Sequence, residues 1–300
     1  VRPLQFGVTV HRVGSAADFR QLVARADELG YDVFAVADHL GAAAPFSTLA
    51  AAAMVSPRLR LRTYVLNAGF WNPALLAREV ATLDVVSDGR VEVGLGAGHM
   101  KHENDDAGLP WAPLADRVRA MEDLVVELPR RLSDPEHRPR PVQDHVPIMV
   151  GAMSPAGLAV AARHADAVGF AGLRQVRGAG PGTFTLASAQ ETDDRVAAVR
   201  TGAAGRPYRS DALLQVVEVG RDPASAAAEI AAEHPWLSAE QVLDTPFVLL
   251  APDVDDAVDQ LLARQARYGF DSVTTHQPNL EALGEVIARY RSRRPPGEPR

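Results

Sequence analysis

The 300-residue sequence contains no cysteine. That excludes disulfide stapling, thiol nucleophiles, iron–sulfur clusters and thiolate zinc sites. It has no long apolar run: the longest, LAAAAMV over 49–55, falls far short of the roughly 20 residues that cross a bilayer. The opening VRPLQFGVTV lacks the basic and apolar regions of a secretory signal. Together these absences lead to the expectation of a cytoplasmic protein with no membrane partner. Basic charge is also scarce. Thirty-one Lys and Arg stand against 38 Asp and Glu, a formal net charge of −7. Outside the final SRRPPGEPR the basic residues are scattered, so no nucleic-acid partner is expected. What the chain does have is apolar material, 47% of its residues against 23% charged, enough for a sizeable core.

β-Branched runs alternate with alanine-rich amphipathic stretches. LQFGVTV (4–10) reads as a strand, after which Phe19, Leu22, Val23, Ala26 and Leu29 recur at helical spacing until Gly30, and DVFAVAD (32–38) is the next strand. The unit repeats as helix 46–55, strand 59–69, helix 73–86 and strand 91–98. A polar loop (99–113) leads to helix 114–132, a Pro/Arg/His-rich connector, strand 146–152, helix 155–164 and strand 165–172. A glycine-rich loop (173–187) precedes helix 188–203, strand 212–220, further helices, strand 271–276 and helix 280–291. Eight strands at about 37 residues per unit predict an α/β fold, a single (β/α)8 TIM barrel over 1–292 with insertions after strands 4 and 6. Residues 293–300 are expected to be a flexible tail. A doubly wound open sheet is disfavoured because no G-x-G-x-x-G follows the first strand.

Such barrels carry their active sites at the C-terminal ends of the strands. The residues there are His11, Asp38, His39, 64–67, 96–102, 151–154, 170–172 and His276. Asp38 and His39 set a carboxylate beside an imidazole, a pair able to hold a cofactor edge or move a proton near neutral pH. The plainer reading is a hydrogen-bonded strand-end turn. LGAGHMKHEND brings His99, His102 and Glu103 close in sequence, but helical zinc sites pair two His at i, i+4 with a distant third ligand. No metal is expected, and His99 reads as a pocket wall or proton donor. Ser154 before Pro155 is either an ordinary serine N-cap or, with free first-turn amides, a phosphate seat. Lys101, Arg174 and Arg177 lie on mouth loops, where they meet an anionic tail or are simply solvated. The mouth is short of aromatics apart from Phe70, Trp71, Trp111, Phe170 and Phe184. Taken together these features suit a ribityl-phosphate cofactor whose flat ring lies across the barrel mouth.

FAVADHL (34–40), LRLRTYVLNAGFWNPALLAREVATLDVVSDGRVEVGLGAG (59–98) and VPIMVGAMSPAGLAVAARHADAVGF (146–170) resemble the bacterial-luciferase-like flavin and deazaflavin oxidoreductases. HENDDAGLPWAPLADRVRAMEDL is similar to the corresponding loop of the subgroup that uses the deazaflavin coenzyme F420, typical of actinobacteria. The resemblance implies hydride transfer between reduced F420 and an activated C=C, C=N or carbonyl of a small organic substrate, natural products included. It implies that Asp38, His39, Tyr64, Val65, Asn67, Gly98, His99, Ala152, Met153 and Ser154 line the cofactor. Tyr64–Val65 would be a non-prolyl cis peptide under the ring, and 152–154 the phosphate seat. His39 or His99 would carry the proton. The sequence departs from the family at His99, where members commonly place an acid or tryptophan, and at Asn104, where they carry an aromatic. An FMN-dependent monooxygenase and a non-catalytic ligand-binding barrel are the alternatives. The resemblance also suggests a homodimer.

Overall fold

A computed structural model describes residues 2–176, 178–180 and 183–293. Eight parallel strands close on themselves: β1 Gln5–Val10, β2 Val33–Val36, β3 Arg60–Thr63, β4 Val91–Gly96, β5 Ile148–Gly151, β6 Ala167–Phe170, β7 Arg209–Leu214 and β8 Ser272–His276. Closure runs from Gln5 opposite Ser272 to Thr9 opposite His276, making the (β/α)8 barrel expected. The strands are buried on both faces, as parallel strands under a helical layer must be.

Local punctuation sets the helices. α1 (Ala16–Glu28) starts on a capping box in which Ser15 and Asp18 each satisfy the other's amide, and Gly30 (φ +85°) turns the chain out of it. α2 (Pro45–Val55) and α3 (Pro73–Val86) both open on proline, where the missing amide proton costs nothing. Helices α4 (Lys101–Asp106), α5 (Leu114–Leu132), α6 (Pro155–His164) and α7 (Ala189–Ala203) follow. After them come α8 (Pro223–Glu233), α9 (Ala239–Asp244), α10 (Val254–Tyr268) and α11 (Leu280–Ser292).

The loops differ from expectation in three places. Residues 101–106 of the polar loop are helical, because α4 turns Glu103 and Asn104 into the protein. The glycine-rich loop contains an antiparallel pair, Leu173–Gln175 with Phe184–Leu186. The strand expected at 212–220 begins at Arg209, leaves the barrel at Gln215 and continues as Val216–Val219, paired in parallel with Val248–Ala251. A third insertion therefore follows β7. Arg177 and 294–300 lie outside the described residues. Arg293, assigned to the tail by sequence, caps α11 and donates to Asp255 and Asp259.

The barrel interior is polar at its floor. Arg62, 3% exposed, reaches Asp211 at 3.1 Å and Glu92 at 2.6 Å. Asp211, fully buried, also accepts from Tyr64 (2.7 Å), Ser272 (2.5 Å) and Thr274 (2.9 Å) hydroxyls. Burial opposes ionisation of Glu92, but Arg62 and then Arg60 overcome it and hold the carboxyl at about 2. Above this layer β3 breaks at a cis Tyr64–Val65 peptide, as the resemblance implied, and resumes as Leu66–Asn67. The Val65 side chain fills the space left by Gly94, Gly96 and Gly151. A Cβ on those glycines would lie 3.0, 2.7 and 3.1 Å from it, and on Gly94 only 2.2 Å from the Thr63 carbonyl.

Candidate active site

A cavity of about 880 Å³ opens at the C-terminal ends of the strands, and all ten residues expected to contact the cofactor line it. Strand parity explains who reaches it. Side chains alternate along a strand, so the inward set of β2 (Val33, Ala35) continues to Ala37 and His39. That of β1 continues to His11, that of β7 to Gln215 and that of β8 to His276.

His39 directs Nδ1 at Glu103 Oε1, 2.7 Å away, and Glu103 is only 4% exposed. Its carboxylate fixes the tautomer, leaving Nε2 without a hydrogen-bond partner among the described residues. The His99 ring stands edge-on to His39 at 5.4 Å and packs on Phe184 at 5.5 Å. Burial, with the positive charge of His39, Arg117 and His102, lowers His99 to about 4. It is neutral at pH 7.

On the other side of His39, 6.2 Å away, lies His11, whose Nε2 is 3.2 Å from His276 Nδ1. The direction of this chain follows from its far end. Gln215 Nε2 donates to the Ala171 carbonyl at 2.7 Å, so its Oε1 must accept from His276 Nε2 at 3.2 Å. Neutral His276 then has only Nδ1 as acceptor, and His11 Nε2–H donates to it. Burial and then His11 lower His276 to about 4, and burial and then His39 lower His11. Four imidazoles thus line one wall, and only His39 has a carboxylate partner. Among the described residues no group of three His, Asp or Glu side chains is arranged to bind a metal ion.

Asp38 has the opposite parity. It accepts from Trp71 Nε1 at 2.9 Å and from the Asn67 amide at 3.2 Å, tying β2 to the segment after β3. Burial raises its carboxyl above the ordinary range, against those two bonds. Asn67 Oδ1 accepts from the Gly69 amide, and the Asn67 side chain fills the space beside Gly98 (φ +72°). Arg117 lies 3.8 Å over Trp111 and donates to the carbonyls of Ala97 and Gly98, holding the loop beneath His99. Ser154 caps α6, accepting from the Gly157 amide at 3.2 Å. Among the described residues the amides of Met153, Ser154 and Ala156 donate to no protein acceptor.

Other expectations sort differently. Arg174, Trp111 and Phe184 line the cavity. Lys101 does not, being paired with Asp105 at 2.6 Å, and His102 is exposed. Phe170 is not a mouth residue: it is 2% exposed and packs on Phe270 in the core. Sequence reasoning missed Gln215, Arg117 and Arg195 as cavity residues, and passed over His11, His276 and Glu103 after noting them. The parity of the strands would have retained both histidines.

The lowered histidines have a consequence for stability. In the unfolded chain an imidazole takes up its proton near 6.5, in the fold His99 and His276 only near 4. Between those values the unfolded state binds more protons, so stability falls as pH drops from about 6.5 to about 4. Urea midpoints should decline over this window in the wild type and less steeply in His276→Gln. Equal slopes for the two proteins would contradict the assignment.

Comparison with known proteins gives three results. A family model described as luciferase-like monooxygenase matches residues 3–242. Among curated proteins, an uncharacterised protein of Mycobacterium bovis is 37% identical over 123 residues, 36% of this chain and 42% of the relative, so the chain spans under half of that relative's length. An F420-dependent glucose-6-phosphate dehydrogenase of Microbacterium testaceum is 25% identical over 315 residues, covering 89% of this chain and 91% of the relative. Among solved structures, an F420-dependent secondary alcohol dehydrogenase in complex with an F420–acetone adduct superposes with a TM-score of 0.75 at 17% identity. That match covers 96% of this chain and 99% of the other, a likeness of fold.

Proposed function

The chain belongs to the luciferase-like monooxygenase family, and we propose that it is an F420-dependent oxidoreductase within it. It would move a hydride between reduced deazaflavin and an activated C=C, C=N or carbonyl of a small organic substrate. The observation that carries this reading is the His39–Glu103 pair facing the cavity, the acid–base device that hydride chemistry on a polar bond requires. The F420-dependent relative that aligns over most of the chain supports the choice of coenzyme.

The residues present fit such a group. The unpaired amides of Met153, Ser154 and Ala156 and the Ser154 cap suit a phosphate at the start of α6. The Val65 side chain, packed on Gly94, Gly96 and Gly151, offers an apolar floor for a ring. When bound, the deazaflavin supplies or accepts the hydride as a two-electron carrier. The rest falls to the chain. Glu103 orients His39, His39 Nε2 gives or takes the accompanying proton, and neutral His99 and Phe184 wall the space. The Asp38 clamp and Arg117 hold the loops on either side of the cavity.

Titration of the purified protein with oxidised F420 and, separately, with FMN, read by ring absorbance and fluorescence, tests the proposal. Tight binding of F420 alone is expected. A preference for FMN with oxygen consumption by the reduced form would make it a monooxygenase, and binding of neither would make it a non-catalytic barrel.

The proposal includes the expected homodimer. It is supported by Met54 on α2, Leu75, Val85 and Val86 on α3 and Val126 on α5, large apolar side chains exposed on the outer helices of successive units. Light scattering would report it. No helix among the described residues is long and apolar enough to cross a membrane.

A further inference from the structure

The cavity wall holds two guanidinium groups that the site described above does not use. Arg195, on α7, is half-buried and lines the cavity, and among the described residues it makes no hydrogen bond or ion pair within 4 Å. Arg174, on the strand Leu173–Gln175, lines the same wall. Its Nε is buried and lacks a hydrogen bond, although Glu191 Oε1 lies 3.1 Å away. Both Glu191 oxygens are engaged elsewhere, Oε1 against Arg174 and Oε2 accepting from the Ser188 amide at 2.9 Å to cap α7, and neither lies within ion-pair distance of Arg195. The cluster therefore carries two positive charges against one negative. Burial works against the Arg195 charge, the field of Glu191 offsets it in part, and the repulsion of Arg174 adds to the burial. A guanidinium withdrawn from water without an acceptor is costly unless an anion completes it, and planar forked donors match phosphate and carboxylate oxygens.

We propose that Arg195 and Arg174 form an anion seat that takes a phosphate or carboxylate group of a ligand in this cavity, separate from the seat at the start of α6. The hairpin that carries Arg174 also carries Phe184, which packs on His99. An anion held there belongs to a molecule whose other end can lie along the imidazole wall. That molecule is either the substrate or the acidic tail of the coenzyme. Distinguishing the two rests on the coenzyme reading above, whereas the seat itself does not.

Inorganic phosphate is the first probe, with binding read by calorimetry on the protein alone and on the protein saturated with F420. The deazaflavin riboside, which lacks phosphate and tail, is the second. Phosphate should bind the wild type and lose about tenfold in affinity in Arg195→Ala, the order expected for losing a charge-assisted hydrogen bond. Glu191→Gln keeps an acceptor for the Ser188 amide and removes the competing charge, so it should bind phosphate several-fold more tightly. If phosphate still binds the F420-saturated protein and Arg195→Ala leaves F420 affinity unchanged, the anion is the substrate's. If Arg195→Ala weakens F420 and spares the riboside, it is the coenzyme's tail. Unchanged phosphate and F420 affinities in a folded Arg195→Ala protein, with no gain in Glu191→Gln, would overturn the seat. Because phosphate binding to the protein alone needs no coenzyme, failure of the F420 reading would leave that arm interpretable.

Discussion

Replacing His39 by Ala is expected to lower kcat by ~10²–10⁴, the usual worth of a positioned general acid or base. Of the four imidazoles on the cavity wall, His99 and His276 are held neutral to about pH 4, and His11 is lowered by burial and by His39 itself. None of these three has a carboxylate partner, whereas His39 has Glu103 at 2.7 Å. His39 is therefore the imidazole of the cluster that a carboxylate orients towards the cavity. Steady-state turnover with reduced F420 and a panel of carbonyl and enone acceptors is the measurement. A loss below threefold would remove His39 from proton transfer. Glu103→Gln keeps a hydrogen-bonding oxygen but discards the charge, so it should cost at least about tenfold in kcat with little change in F420 affinity. His99→Ala should cost less than His39→Ala, since a neutral ring packed on Phe184 shapes the space more than it donates.

The barrel was legible because its signals are local. Apolar runs bounded by glycine and proline mark the strands, and Asn72–Pro73 and Ser154–Pro155 mark the starts of α3 and α6. The hairpin at 173–186 and the strand Val248–Ala251 were not legible, because three or four residues cannot display an alternating period. α4 escaped for a related reason. KHENDD is polar all round, and what makes it helical is the tertiary burial of Glu103 and Asn104, so the partner of His39 was hidden in an apparent solvent loop. The His11–His276 contact joins residues 265 positions apart and exists only because β8 closes on β1. Both residues were visible as strand ends, but the hydrogen bond between them belongs to the closure.

Asp211→Ala is expected to cost about 3–5 kcal/mol of stability, the range for removing one partner of a buried ion pair. Among the described residues the carboxylate is the only acceptor of the Tyr64 and Ser272 hydroxyls, and it also accepts from Thr274 and Arg62. Its loss leaves Arg62, 3% exposed, with Glu92 as its remaining anionic partner and strands buried hydroxyl groups at the barrel floor. Urea unfolding at pH 7 checks this, with the midpoint falling and the slope unchanged. A loss under about 1 kcal/mol would mean that water or Glu92 takes over the orphaned donors. The effect should not stop at stability. Tyr64 is the residue at which β3 breaks, its hydroxyl is moored to Asp211, and the next residue, Val65, floors the cavity between Gly94, Gly96 and Gly151. In the fraction that remains folded, freeing Tyr64 should loosen that floor and weaken deazaflavin binding several-fold. Asp211→Asn, which keeps an acceptor for Tyr64 but not the charge for Arg62, should lose stability while retaining most of the affinity. Parallel losses in both variants would show that the charge, and not the mooring of Tyr64, shapes the cavity.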